Sequence, residues 1–359
     1  MVFGREKERV GRPPRRVAVI GAGSFGTALA IVLARSGVRT TLCCRGEEQA
    51  RELAQRRENG RYLSGVRFPA GLAIAHGLEG IGRAELVFLA VPARSLPAVV
   101  EGLAQRYDGR PLAAISAAKG LCDRSGTVGS QLLARAFGRE RSGCLGGPSH
   151  ARELVGPGGA LVCASASAEL ARAVAGLFAA AGLVCEVSND PLGVELAGAA
   201  KNAAALAAGA TQREGLNAAG AAAGHIFGEV WRYAAARGAR PESFIGLAGS
   251  GDLVATALAP QSRNRRAGEL LAQGVPAAEI PARIGQAVEA LQSVSYLAAT
   301  LAEAGVKAPV LSALAGLIGG ELPLASWLEL VRTTTPPPAL FPRRGWARRL
   351  AARLTRRGR

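Results

Sequence analysis

The chain has 359 residues, 49% of them hydrophobic and only 4% aromatic, with a formal net charge of +17. That length suits two domains with sizeable cores, and the apolar content excludes a disordered chain. The charge calls for anionic partners, but the arginines are not interleaved with aromatics as base stacking requires, so no nucleic acid is expected.

Six cysteines without a C-x-x-C pair and three scattered histidines support neither a disulfide framework nor a metal site. The thiols read as small buried residues of a reducing, cytoplasmic compartment. With so few rings, the core must be packed by close backbone approach.

Residues 1–15 are charged, punctuated by proline and glycine, and expected to be disordered. Val17 to Ala34 is an uncharged stretch that could pass for a signal peptide, but its glycines have a better account. From Arg16 to Ser188, short apolar runs alternate with helical stretches: Val17–Ile20, Thr40–Cys44, Leu86–Val91, Leu112–Ser116, Ala160–Cys163 and Leu183–Val187. This is the βαβ rhythm of a parallel sheet covered on both faces.

Gly21-Ala-Gly-Ser-Phe-Gly26 follows the first run directly and opens a helix. In a G-x-G-x-x-G turn the first glycine makes the bend, the second lets backbone approach a diphosphate, and the third allows helix and strand to pack closely. The diphosphate then sits at the positive end of the helix. The fold class is therefore an α/β Rossmann-type dinucleotide-binding domain at residues 16–189. Arg45, after the second run, suits a ribose 2′-phosphate and favours NADPH; Glu47 and Glu48 keep NADH open.

Lys119, after the run Leu112–Ser116, falls at the carboxyl edge of the sheet, where ligands bind in such folds. Gly146-Gly-Pro-Ser-His-Ala-Arg152 is a tight turn in which Ser149 could touch a substrate. At Asp190-Pro191 an N-cap and a proline in the first helical position start an all-helical substrate domain at 190–332.

Lys201 lies inside Leu196-Ala-Gly-Ala-Ala-Lys-Asn-Ala-Ala-Ala-Leu206, with Ala197, Gly198, Ala204 and Ala205 on its face. Only four of the 44 basic residues are lysines. Lysine, unlike arginine, can have its pKa moved and give up a proton. Lys201 is therefore the candidate general acid of a reductase. Further on, Asp252 in Gly249-Ser-Gly-Asp252 precedes Ser262-Arg-Asn264, which offers a hydroxyl, a guanidinium fork and an amide to phosphate oxygens.

A Pro-rich linker and basic tail close the chain at 333–359. In 339–359, Trp346, Leu350 and Leu354 form an apolar stripe flanked by arginines. It reads either as a peripheral contact with an anionic membrane or as a solvated arginine-rich tail.

Together these segments resemble the bacterial NAD(P)-dependent glycerol-3-phosphate dehydrogenase family from Val17 to Leu330. The resemblance rests on the glycine fingerprint, Arg57-Glu-Asn59, Ala90-Val-Pro92, Lys119-Gly120, Gly147-Pro-Ser149, Gly193-Val-Glu195, Lys201-Asn202, Gly251-Asp-Leu253 and Ser262-Arg-Asn264. It implies reversible reduction of dihydroxyacetone phosphate by NADPH or NADH to sn-glycerol 3-phosphate, a phospholipid precursor, with Lys201 as proton donor and acceptor. It also implies substrate contacts from Lys119, Gly147, Ser149, Lys201, Asp252, Ser262, Arg263 and Asn264. Cofactor contacts would come from Gly21, Gly23, Ser24, Phe25, Gly26, Arg45, Lys119, Ala151, Arg263 and Glu289. A homodimer is the assembly expected. The sequence departs from the family at His225-Ile226, where Arg-Gly is usual, at Ser250, where an apolar residue is usual, and at Ala290, where glycine is usual. A reductase of the same build acting on another keto acid, and a cofactor-binding sensor without turnover, are the competing readings.

Overall fold

The structure, a computed structural model, describes residues 14–107 and 112–337. The expectations for residues 1–13 and for the tail beyond Pro337 lie outside the described residues.

The first half is built on an eight-stranded sheet. Its strands are β1 (Arg16–Ile20), β2 (Arg39–Cys44), β5 (Leu72–His76), β6 (Leu86–Leu89), β7 (Ala113–Ser116), β8 (Ser142–Gly146), β9 (Ala160–Ser165) and β10 (Val184–Ser188), in the spatial order β10-β9-β8-β7-β6-β1-β2-β5. Strands β3 (Glu58–Asn59) and β4 (Leu63–Arg67) pair separately. Burial on both faces is visible along β1: Val17 and Val19 enter one apolar cluster and Ala18 and Ile20 another.

The sheet departs at one place from the parallel arrangement expected of it. The sheet is parallel except where β8 meets β9 antiparallel. The turn Gly146-Gly-Pro-Ser149 folds the chain straight back, and the Ala160 amide donates to the Pro148 carbonyl at 3.1 Å. No crossover helix is needed between β8 and β9, only the short helix Ala151–Leu154. The uncharged run from Val17 becomes β1 and the helix Ser24–Arg35, and no described helix is long and apolar enough to cross a membrane.

From residue 190 every described element is helical, so the fold is an α/β sheet domain followed by a helical region. The Asp190 carboxylate caps the helix Pro191–Thr211 by accepting from the Gly193 amide at 2.9 Å. This helix is buried along nearly its whole length, with Leu216–Ala236 and Arg263–Ala272 packed on it. Its alanines and glycines are the reason it fits. A Cβ on Gly209 would lie 2.0 Å from the Arg265 carbonyl oxygen, and one on Gly268 would lie 2.0 Å from that of Leu206. Backbone meets backbone there, as the scarcity of aromatics required.

Candidate active site

Strand β1 is central, and the strand order reverses beside it, where β6 rather than β3 is its second neighbour. Open α/β sheets bind ligands at such a switch point, outside the carboxyl ends of the strands. The turn from Gly21 to Gly26 lies there. A Cβ on Gly26 would sit 1.9 Å from the Gly21 oxygen, whereas one on Gly23 would meet nothing within 4 Å. The third glycine thus allows close packing, and the second leaves the backbone open to a bulky anion. The helix Ser24–Arg35 carries no acid in its first turn, so its amide end is free for a diphosphate. Buried Asn59 braces the turn, donating to the Ala22 oxygen at 3.0 Å and to Thr27 Oγ1 at 2.8 Å. Nothing local in the sequence marks Asn59 for this role, since its partners lie 32 and 37 residues away. Arg45 is exposed just past β2, while Glu47 pairs with Arg51 at 3.0 Å.

Strand β7 delivers Lys119 and β8 delivers Gly147. Lys119 Nζ donates to the Gly147 oxygen at 3.0 Å and to Asp252 Oδ2 at 2.8 Å, and lies 5.9 Å from the centre of the Phe25 ring. That last contact joins the glycine turn to the lysines. From the helical side, Lys201 Nζ lies 3.2 Å from Asp252 Oδ1 and donates to Thr256 Oγ1 at 2.9 Å. Thr256 in turn donates to Asp252 Oδ1 at 3.3 Å. Lys201 is 5% exposed and Asp252 1%. Ala197, Ala200, Ala204 and Ala205 around the lysine are fully buried.

Two ammoniums therefore face one carboxylate in a poorly hydrated slot. Burial pushes the Lys201 pKa down to about 8, with Asp252 opposing and Lys119 reinforcing the fall. Burial pushes the Asp252 carboxyl up, but Lys119 and Lys201 outweigh it and hold the group below its ordinary range. Half-buried His150 is kept towards its neutral form by burial and by Lys201.

The remaining candidates fall around this cluster. Ser149 Oγ donates to the Gly147 oxygen at 3.0 Å, so it converges with Lys119 on one carbonyl. Ala151 starts the short helix after this turn. Ser262 caps the helix Arg263–Ala272, accepting from the Arg265 amide at 3.3 Å. Its hydroxyl oxygen thus has a structural task besides any substrate contact. Arg263 is exposed and donates to the Ala287 oxygen at 2.9 Å.

Asn264 donates to Asn202 Oδ1 at 2.8 Å, and Asn202 donates to the Lys119 carbonyl at 2.9 Å. This amide chain ties the Ser-Arg-Asn segment to Lys119, and no role was assigned to Asn202 or Thr256 from sequence. Glu289 is half-buried, and burial raises its carboxyl pKa despite the opposing charge of Arg263.

Two of the departures have physical accounts. Ser250 donates to the Phe244 oxygen at 3.0 Å, and the Ala290 amide donates to Asn264 Oδ1 at 3.4 Å while its methyl is buried. The cysteines are all free. Burial raises the pKa of Cys43 and of Cys122 to about 12. No group of side chains suited to a metal ion occurs among the described residues.

Comparison with known proteins decides the family. Sequence models described as the NAD-dependent glycerol-3-phosphate dehydrogenase N-terminus and C-terminus match residues 16–171 and 190–329. The chain belongs to the NAD-dependent glycerol-3-phosphate dehydrogenase family. It is 36% identical over 324 residues to a glycerol-3-phosphate dehydrogenase (NAD(P)+) of Azotobacter vinelandii, covering 89% of this chain and 95% of that one. Identity to the Thermus thermophilus protein of the same name is 41% over 304 residues, covering 83% and 92%. Among solved structures, glycerol-3-phosphate dehydrogenase from Coxiella burnetii superposes with a TM-score of 0.85 at 28% identity, covering 90% of this chain and all of that one.

Proposed function

We propose that this member of the family reduces dihydroxyacetone phosphate reversibly to sn-glycerol 3-phosphate, with Lys201 as the proton donor. The observation that carries this is the placement of Lys201, buried and within bonding reach of Asp252 and Thr256, beside a lysine that touches the nucleotide turn. A nicotinamide held at the Gly21–Gly26 turn would supply hydride to the ketone carbon. As the ketone oxygen gains negative charge, the Lys201 ammonium stabilises it and passes it a proton. General acid work of this kind contributes on the order of 10²–10⁴-fold. Thr256 and Asp252 hold the amine in place, and Lys119 adds a second positive charge near the developing oxyanion.

Arg263 and Asn264 hold the phosphate. That end undergoes no chemistry, but its binding fixes the carbonyl near the amine, the way remote binding energy is turned into rate. The net charge of the Lys119–Asp252–Lys201 cluster, +1 when all three are ionised, favours an anionic substrate. The cofactor unit comprises residues 16–189 and the substrate unit 190–332 in this proposal. Exposed Arg45, with Glu47 engaged by Arg51, favours NADPH. A cytoplasmic place, a role in glycerophospholipid supply and a homodimeric assembly complete it.

The test is nicotinamide oxidation with dihydroxyacetone phosphate, run with NADPH and NADH side by side. Turnover with other keto acids but not with this phosphate rejects the proposal.

A further inference from the structure

Glu195 is a buried carboxylate that the chemistry above does not use. It stands six residues before Lys201 on the helix Pro191–Thr211 and is 2% exposed. Its partners belong to the sheet domain. The Ser130 amide lies 3.1 Å from both of its oxygens, and Ser130 Oγ donates to Oε2 at 2.5 Å. Ser130 is in the first turn of the helix Gly129–Phe137, which has no acid of its own there. Glu195 thus supplies, from the helical region, the negative charge that a helix start favours. Ser116, at the end of β7, and the Gly129 amide also help to draw its pKa down. Gly129 leaves the room for this, since a Cβ there would lie 2.2 Å from Ser116 Oγ.

The consequence is geometric. Three residues after Ser116 the chain reaches Lys119, and six residues after Glu195 it reaches Lys201. Two stitches hold these segments together: Glu195 at one end and Asn202, bound to the Lys119 carbonyl, at the other. Asp252 bridges the two lysines thus placed. We propose that Glu195 is a positioning residue, whose bonds to Ser130, beside Ser116 at the end of β7, set the spacing of Lys201 from Lys119 and Asp252. This rests on Lys201 being the proton donor.

The latch is also titratable. No lysine or arginine pairs with Glu195 among the described residues. The titratable groups facing it are the thiols of Cys122 and Cys144, which burial keeps protonated. Burial raises the Glu195 pKa to about 7, against the pull of Ser130. An ionised carboxylate accepts from every neighbour. A protonated one carries a hydroxyl that the Ser130 amide cannot accept and that Ser130 Oγ accepts only by giving up its own donation, so the set of bonds changes. Reduction therefore weakens as pH falls through about 7, separately from the loss that Lys201 causes on the alkaline side.

The experiment is the pH profile of kcat and kcat/KM for the reduction, in the parent enzyme, Glu195→Gln and Ser130→Ala. The expected result for Glu195→Gln is a loss of roughly tenfold to a hundredfold in kcat, as for a small misplacement of a catalytic group. Its cofactor KM stays within about twofold, on the rule that only transition-state contacts are lost, and the acidic limb attributed to Glu195 disappears. Ser130→Ala keeps the amide but removes one hydroxyl donor, so its acidic limb moves to higher pH; it serves as the second readout if Glu195→Gln does not fold. A parent profile without an acidic limb, or a limb that stays in place in the variants, overturns the proposal, since a limb from the substrate phosphate or from His150 would not move. Turnover by Lys201→Ala would sink the proton-donor assignment instead, whatever the Glu195 variants do.

Discussion

Lys201 Nζ stands 3.2 Å from Asp252 Oδ1, with both side chains almost wholly withdrawn from water. The pair comes from two helices 51 residues apart in sequence, and the second oxygen of Asp252 is taken by Lys119 from the sheet domain at 2.8 Å. One carboxylate thus holds two amines from opposite halves of the molecule. Its removal, or that of either amine, has consequences for both rate and stability.

Asp252→Asn leaves two buried or half-buried ammoniums without their counter-charge. Breaking such a pair by removing one partner costs about 3–5 kcal/mol, so urea unfolding at neutral pH should show a loss of that order. The sign with pH follows from the lowered carboxyl pKa. The stability that Asp252 contributes is present above its ordinary range and is lost as pH falls through its folded value. The parent enzyme should therefore lose stability in acid more steeply than Asp252→Asn. Equal slopes would show that the carboxylate is not paired in solution.

Gly268→Ala adds a methyl where the Leu206 carbonyl oxygen would be 2.0 Å away. Backbone cannot give way as a flexible side chain does. The helix Arg263–Ala272 must therefore move off the helix that carries Lys201, at a cost of about 1–3 kcal/mol or more. A lowered melting temperature together with reduced kcat is the expected outcome. Parental values of both would mean that the two helices are not held so closely.

Much of this was legible in the sequence because local chemistry dictated it. The glycines at 21, 23 and 26, the Asp190-Pro191 helix start and the alanine-walled Lys201 each act within a few residues. The antiparallel return of β9 was not legible, because the apolar run Ala160–Cys163 reads the same in either direction and only the turn before it decides. Thr256, Asn202, Glu195 and Asn59 were visible as residues, but each has a partner 37 to 83 residues away. No periodicity announces a hydrogen bond closed across the fold.

Arg45→Glu should reverse the cofactor preference. The guanidinium stands exposed beyond β2, and a carboxylate there would accept from a ribose 2′-hydroxyl and repel a 2′-phosphate. The ratio of kcat/KM for NADPH over NADH should fall by about tenfold or more, or at least 1.4 kcal/mol. An unchanged ratio would remove Arg45 from the cofactor site.

Arg263→Ala should mainly raise the KM for dihydroxyacetone phosphate while leaving the alkaline limb in place. The guanidinium is exposed and hydrogen-bonds to the Ala287 carbonyl, so its loss costs little fold stability. Steady-state kinetics with the phosphate substrate checks this. A fall in kcat with KM unchanged would point to a role in the chemical step instead.

The central claim is that Lys201 gives the proton, and the pH dependence of turnover in both directions tests it most directly. With its pKa lowered to about 8, the reduction, which needs the ammonium, should fall as pH rises through that value, and the oxidation, which needs the free amine, should rise. Lys201→Ala should lose about 10²–10⁴-fold in kcat in both directions, bind the cofactor as the parent does, and show neither limb. A Lys201→Ala enzyme that turns over at the parental rate with the same limbs would contradict the account.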